Sequence, residues 1–290
     1  MERKGTAEKR RILCIRADGN REIATGHLRR CLSVAQAAKK KGVEVCFAVA
    51  DTESKRLLAS FLTKEESKAF PVTVLGTSYH RPEEELPALF SFLEELPKPA
   101  PREVRLCLLV DSYFATEVYL RALQECAETA YIDDLYAFDP PVTYLLNYHW
   151  EAERKRKSYK AAEKLLLGVS YAPLRERFAD SAYTVSGKIK KILVSTGGGD
   201  PYHLMRALVK RAEEFSAIWH KTNGNVTPLE VHLLLGALYT DREDLQGEID
   251  GLAAETKKSV RFILHENIPD TEPLMRNADM AFSAAGTTLY

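Results

Sequence analysis

Residues 12–50 read ILCIRADGNREIATGHLRRCLSVAQAAKKKGVEVCFAVA, and the reading of this stretch decides the fold. Ile12 to Ile15 is an apolar run of strand length. Gly26 to Lys41 then places Leu28, Cys31, Leu32 and Ala35 at helical spacing before Gly42, a residue suited to ending a helix. Val43 to Ala50 is apolar again. Strand, amphipathic helix, strand is the pattern of a parallel sheet with a crossover helix.

Working outward, the alternation predicts a helix near Glu53 to Leu62, a strand Val72 to Leu75, a helix Glu83 to Glu95 and a strand Leu106 to Val110. A helix around Thr116 to Glu128 and strands near Tyr131 and Tyr144 complete this half. Ser158 to Lys190 is mixed, with an apolar piece at Leu165 to Val169 and a polar stretch from Asp180, and the domain boundary is placed there. The pattern restarts with strand Ile192 to Ser195, a triple glycine, and a helix opened by Asp200 as N-cap with Pro201 in its first turn. Strand Val231 to Leu235, helix Asp241 to Thr256, strand Val260 to Leu264, a short helix near Pro273 to Asn277 and strand Met280 to Ser283 follow. The expectation is an α/β chain of two Rossmann-like domains with parallel sheets, 1–183 and 184–290. A length of 290 residues suits two domains at about 150 residues each. The sequence ends at Tyr290, where AAGTT reads as the opening of another helix, so the second domain is expected to be incomplete.

Lysine plus arginine and aspartate plus glutamate both number 41, so no overall charge draws the chain to nucleic acid or anionic lipid. The basic run Arg154 to Lys160 is short and reads as a solvated face. No run approaches the ~18 apolar residues of a membrane span, and the charged opening MERKGTAEKRR lacks a signal-peptide core, so a cytoplasmic protein is expected. Cys14, Cys31, Cys46, Cys107 and Cys126 lie in apolar runs without CxxC spacing and read as core thiols of a reducing compartment. HExxH and HxxxH spacings are absent, so neither a metal nor a cofactor is expected. Oligomeric state is not readable from the sequence.

The chemistry is expected where strand ends meet helix starts. After the first strand come Arg16, Ala17, Asp18 and a loop ending in Thr25, Gly26 and His27 at the mouth of a helix. That is the position of a ligand site in an open parallel sheet. Gly26 allows close backbone approach, and a histidine at the positive end of the helix dipole favours the uncharged ring, able to take a proton from water. Arg29 and Arg30 read as solvated helix charges unless a cleft reaches them. Asp111 and Tyr113 close LCLLVD, and Asp133 and Asp134 follow AYI; such carboxylates hold sugar hydroxyls, carry protons, or cap helices. In the second half, Gly197 and Gly198 offer backbone N–H groups to an anion, and Ser283, Gly286, Thr287 and Thr288 form a second small-residue turn. Either turn can also be ordinary capping.

Together the segments IRADGNREIATGHLRR (15–30), LLVDSY (108–113), YIDD (131–134), LLNYHW (145–150), LLGVSYAPLRERF (166–178), ILVSTGGGD (192–200) and HENIPDTEPLMRNADMAFSAAGTTLY (265–290) carry a resemblance. They resemble the family of the UDP-2,4-diacetamido-2,4,6-trideoxy-β-L-altropyranose hydrolases of pseudaminic acid synthesis and their spore-coat polysaccharide relatives. The resemblance implies a glycosyltransferase-B architecture, with a sugar-side first domain and a nucleotide-side second domain. It implies that His27 is the base that activates water against the anomeric carbon of a UDP-sugar. It places Arg16, Asp18, Gly26, Asp111, Tyr113, Asn147, Tyr171 and Arg175 on the sugar side. Gly197, Gly198, Ser283, Gly286, Thr287 and Thr288 fall on the diphosphate side, and His265 to Ile268 against the uracil. Members of the family continue past the TTLY segment with an acidic residue that holds the ribose.

Two rival readings stay open: a glycosyltransferase that delivers the sugar to an acceptor, and a noncatalytic nucleotide-sugar binding module. A dinucleotide oxidoreductase is disfavoured because neither half has GxGxxG spacing in the right context. The hydrolytic reading requires the His27 ring to face the ligand; a ring sealed inside the protein would remove it.

Overall fold

A computed structural model describes residues 10–96, 104–178, 187–223, 227–266, 268 and 270–284. The chain divides into two compact units between Leu174 and Arg175. The expected boundary at 183/184 lies outside the described residues.

The first unit is built on strands β1 (Arg10–Ala17), β2 (Glu44–Val49), β3 (Val72–Val74), β4 (Val104–Asp111), β5 (Glu128–Ile132), β6 (Tyr144–Asn147) and β7 (Lys164–Leu167). They lie in the order β3-β2-β1-β4-β5-β6-β7, all parallel, with Ala17 opposite Asp111. Helices α1 (Gly26–Lys40), α2 (Thr52–Phe61), α3 (Lys64–Ala69), α4 (Pro82–Glu95) and α5 (Glu117–Gln124) connect them. The period of two along each strand supplies two apolar faces. Cys14, Ala48, Leu108 and Val110 pack with Leu89, Leu93, Tyr119 and Leu120 of α4 and α5. Ile15, Phe47 and Leu109 pack with Leu28, Cys31, Leu32 and Leu58 of α1 and α2. Both faces are therefore covered, the doubly wound arrangement.

α1 ends as the sequence requires. Gly42 takes φ +71°, its N–H donates to Lys39 O at 3.0 Å, and Val43 N donates to Ala38 O at 3.0 Å. Leu28 and Leu58 are fully buried, so Leu28→Ala costs about 2–5 kcal/mol.

The second unit has strands β8 (Lys191–Ser195), β9 (Leu229–Leu234), β10 (Val260–His265) and β11 (Met280–Ser283), parallel and ordered β10-β9-β8-β11. Helices α6 (Leu204–Lys210), α7 (Ala212–Asn223), α8 (Arg242–Asp250), α9 (Ala254–Ser259) and α10 (Glu272–Asn277) accompany it. Met205, Val209, Leu233, Leu245 and Phe262 anchor its core. Two expectations are corrected here. The helix after the triple glycine begins at Leu204 rather than at Asp200, because His203 takes a left-handed φ of 51° just before it. Asp200 still serves that helix, its carboxylate accepting from Leu204 N at 3.0 Å and Met205 N at 2.9 Å. The single helix expected at Asp241 to Thr256 is two, broken at 251–253.

No helix among the described residues is long and apolar enough to cross a membrane. Cys14, Cys31 and Cys46 are buried and Cys107 is partly so, but Cys126 is exposed and is not a core thiol.

Candidate active site

The order of the first sheet reverses between β1 and β4, and the carboxyl ends of those two strands frame the site. His27 lies in the first turn of α1, where Thr25 as N-cap makes no side-chain cap. Helical spacing brings Arg30 and Cys31 onto its face. Opposite, the last residue of β4 is Asp111. Its Oδ1 lies 2.6 Å from His27 Nδ1, and Arg30 grips it from the other side with Nε to Oδ2 and Nη2 to Oδ1, both at 2.5 Å. Cys31 Sγ adds a contact at 3.4 Å.

Arg30 Nη2 also lies 3.1 Å from His27 Nδ1, yet a guanidinium only donates, so the two cannot share that edge. The shorter contact to the carboxylate decides the tautomer: Nδ1 carries the proton and donates to Asp111. Nε2 has no hydrogen-bond partner among the described residues, and it is the nitrogen on which a proton can land. Although burial alone would raise Asp111, Arg30 and then His27 outweigh it and hold the carboxyl far below its usual range. Burial and then Asp111 push the Cys31 thiol well up, which removes it as a nucleophile.

The ring is buried, the arrangement under which the sequence reading gives up hydrolysis, so any reaction at Nε2 requires the neighbouring Tyr113 to move. His27 is only 3% exposed, and Tyr113 packs edge-on against it with centroids 4.3 Å apart. Tyr113 is itself 45% exposed.

Arg30 corrects an expectation. It is buried rather than solvated, and its Nη1 donates to Asp134 Oδ2 at 2.5 Å and to Tyr148 OH at 2.6 Å. Its place three residues after His27 was the available signal. Burial pushes the Asp134 carboxyl up, opposed by Arg30. Arg29, by contrast, is exposed and lies over the Phe61 ring at 4.1 Å.

Four expected sugar ligands are committed inside the protein instead. Arg16 Nε and Nη2 donate to Glu85 at 2.7 and 2.6 Å, and Nη1 to Asp18 at 2.5 Å. Asp18 Oδ1 also accepts from Ala50 N at 2.7 Å, and Tyr119 OH donates to Glu85 at 2.5 Å. This network ties β1 to α4 and α5. Asp111 is held as described. Asn147 donates to Tyr159 OH at 3.1 Å and accepts from His149 N at 3.0 Å. All four are 3% exposed or less, as His27 is, and the hydrogen bonds given run within the unit. Asp133 is likewise internal, accepting from Leu135 N, Tyr136 N and Tyr159 OH. Gly26, Tyr113 and Tyr171 are exposed, and a Cβ built on Gly26 meets nothing within 4 Å. Arg175 belongs to the second unit, where its Nη2 donates to Thr271 Oγ1 at 3.2 Å.

In the second unit the order reverses between β8 and β11. Gly197 follows β8 with φ +84°, a conformation that favours glycine. Gly198 O accepts from Leu238 N at 2.8 Å, so the turn rests on the loop after β9. A Cβ at Gly236 would collide with Gly197 O, which accounts for glycine there too. Thr196 Oγ1 is buried beside the turn with no partner among the described residues. Ser283 ends β11 opposite Ser195. His265 ends β10: its carbonyl accepts from Leu235 N at 2.9 Å, and its Nε2 lies 2.7 Å from His232 Nδ1, the rings stacked at 5.0 Å. Ile268 is half-buried, and Gly286, Thr287 and Thr288 lie outside the described residues.

No family model matches the chain, and no curated protein matches it. Among solved structures, a UGT transferase from Siraitia grosvenorii in complex with UDP aligns at TM-score 0.54 and 10% identity, over 96% of this chain and 79% of that one. TcCGT1 in complex with UDP aligns at TM-score 0.56 and 10% identity, over 97% and 78%. At such identity the likeness is one of fold, and the fold is of the glycosyltransferase-B type, built from Rossmann-like units with parallel sheets.

Proposed function

We propose that the chain hydrolyses a UDP-linked deoxyamino sugar, of the 2,4-diacetamido-2,4,6-trideoxyhexose type, to free sugar and UDP. The reaction belongs to nonulosonic acid or surface-polysaccharide synthesis. The observation that carries the proposal is the His27–Asp111 pair at the β1/β4 switch point, with Nδ1 bound and Nε2 left for a substrate. On this reading Tyr113, packed edge-on against the buried ring, turns aside to admit the substrate. A water bound there gives its proton to Nε2 while its oxygen attacks the anomeric carbon. The bond from that carbon to the diphosphate breaks, its electron pair leaves with UDP, and the configuration inverts. Asp111 offsets the imidazolium that forms, and Arg30 keeps Asp111 ionised and aimed.

The nucleotide half of the proposal rests on the second unit's turn, where Gly197 and Gly198 follow β8 at the switch point. The fold neighbours add support, since both are described in complex with UDP.

Transfer to an acceptor is the second reading. A histidine held by a carboxylate deprotonates a sugar or alcohol hydroxyl as readily as water, and the neighbour from Siraitia grosvenorii is a transferase. One experiment separates them: incubate the protein with UDP-diacetamido-trideoxyhexoses and follow the anomeric signals by proton NMR, with and without acceptors. Release of free sugar in water alone supports hydrolysis. UDP release that needs an acceptor supports transfer, and binding without turnover reduces the chain to a binding module.

A further inference from the structure

Among the described carboxylates around the carboxyl edge of the first sheet are Asp18, Glu85, Asp111, Asp133 and Asp134. Four close both oxygens on the protein itself. Asp18 accepts from Arg16 and Ala50 N, and Glu85 from Arg16 and Tyr119. Asp111 is shared by His27, Arg30 and Cys31, and Asp133 by two backbone N–H groups and Tyr159. Each is 3% exposed or less.

Asp134 differs. Its Oδ2 accepts from Arg30 Nη1 at 2.5 Å, its side chain is 25% exposed, and Oδ1 has no hydrogen bond among the described residues. The guanidinium that holds it is the one that grips Asp111, so Asp134 is fixed relative to His27. Burial first and the Asp134 charge second raise the phenol of Tyr113, the ring packed against His27. An oxygen that is partly desolvated, anchored and unused is suited to discrimination, because a ligand without the matching donor leaves it unpaired. Charge balance for Arg30 does not account for its exposure, since Asp111 already takes two of that guanidinium's donors.

We infer that Asp134 is the residue that reads the sugar, Oδ1 accepting a hydrogen bond from a ring hydroxyl or acetamido N–H of the pyranose held over His27. The inference rests on the nucleotide-sugar reading above and names the specificity determinant of that site. It selects sugars that carry a donor at one ring position and rejects those deoxygenated, fluorinated or O-methylated there.

The test compares kcat/KM for the full chain, Asp134→Ala and Asp134→Asn. The substrates are UDP-N-acetylglucosamine, UDP-diacetamido-trideoxyhexoses, and analogues in which one donor at a time is replaced by hydrogen or fluorine. In the unaltered protein one replacement lowers kcat/KM by about 10- to 100-fold. In Asp134→Ala that penalty shrinks to within about threefold, while the affinity for UDP alone is unchanged. Asp134→Asn keeps an oxygen for Arg30; it loses the same discrimination and melts like the unaltered protein, which separates recognition from folding. An equal loss on every substrate, or the full penalty retained in both variants, overturns the inference. An unaltered protein that neither turns over nor shows sugar-dependent binding with any substrate overturns the nucleotide-sugar reading, and this inference with it. That result is distinct from a panel that turns over with Asp134 silent.

Discussion

The second sheet repeats the order of the first four strands of the first, and the two fill their switch points in opposite ways. In the first, β3-β2-β1-β4 ends in paired side chains: Arg16 with Asp18 and Glu85, and His27 with Asp111, Arg30 and Asp134. In the second, β10-β9-β8-β11 ends in a backbone turn at Gly197 and Gly198 that rests on Gly236 and Leu238. Topology chooses the address in both. What stands there chooses the chemistry: fixed charges that handle a proton at one address, peptide groups able to meet an anion at the other.

Asp111→Asn is the change that breaks the first half of this contrast most severely. It leaves Arg30 buried beside a neutral amide and unlocks the His27 tautomer, so turnover falls by about 10²- to 10⁴-fold and stability by about 3–5 kcal/mol. Steady-state kinetics and urea denaturation measure the two. The pH dependence has a definite sign. The folded carboxyl is held below its unfolded value, so its contribution to stability is complete above about pH 4 and is lost as pH falls toward the folded value. Acid titration of Asp111→Asn therefore lacks that part of the acid limb.

Glu85→Gln sharpens the division between site and scaffold. The Arg16 cluster is internal, so stability drops by about 3 kcal/mol while kcat per folded molecule stays within about twofold. A large loss of kcat with the melting temperature intact would return Arg16 and Asp18 to the sugar. In the second unit, Gly236→Ala drives a methyl group into the Gly197 and Gly198 carbonyls. The expected cost is about 1–3 kcal/mol together with weakened UDP binding, read by thermal melts and calorimetry. Gly26→Ala has the smallest effect on stability, within about 0.5 kcal/mol, because its Cβ enters open space. A fall in kcat/KM there with no change in melting identifies that space as the ligand's.

Local periodicity made most of the fold readable. The helix expected at Gly26 to Lys41 is Gly26–Lys40, and the glycine expected to end it does so in the left-handed region. Two helices were missed. Lys64–Ala69 buries no residue and leaves no apolar stripe, and Ala212–Asn223 lies in a stretch to which no element was assigned. The position of His27 was readable from strand-end and helix-start logic, but its partner Asp111 stands 84 residues away and only sheet register brings them together. The same distance blindness hid the internal partners of Arg16, Asp18 and Asn147. Sequence shows which residues stand at a strand end, not which have already spent their hydrogen bonds on neighbours such as Glu85 or Tyr159. Arg30 reads in the sequence as a solvated charge unless a cleft reaches it, although its i+3 spacing puts it on the face of His27.

The account turns on His27 Nε2 taking a proton from the attacking group. The direct test is turnover by His27→Ala on a UDP-sugar that the unaltered protein hydrolyses, measured beside its affinity for UDP and with imidazole added to the buffer. The account predicts a fall in kcat of about 10²- to 10⁴-fold, unchanged UDP affinity and partial rescue by imidazole. Turnover within a few-fold of the unaltered protein would contradict it.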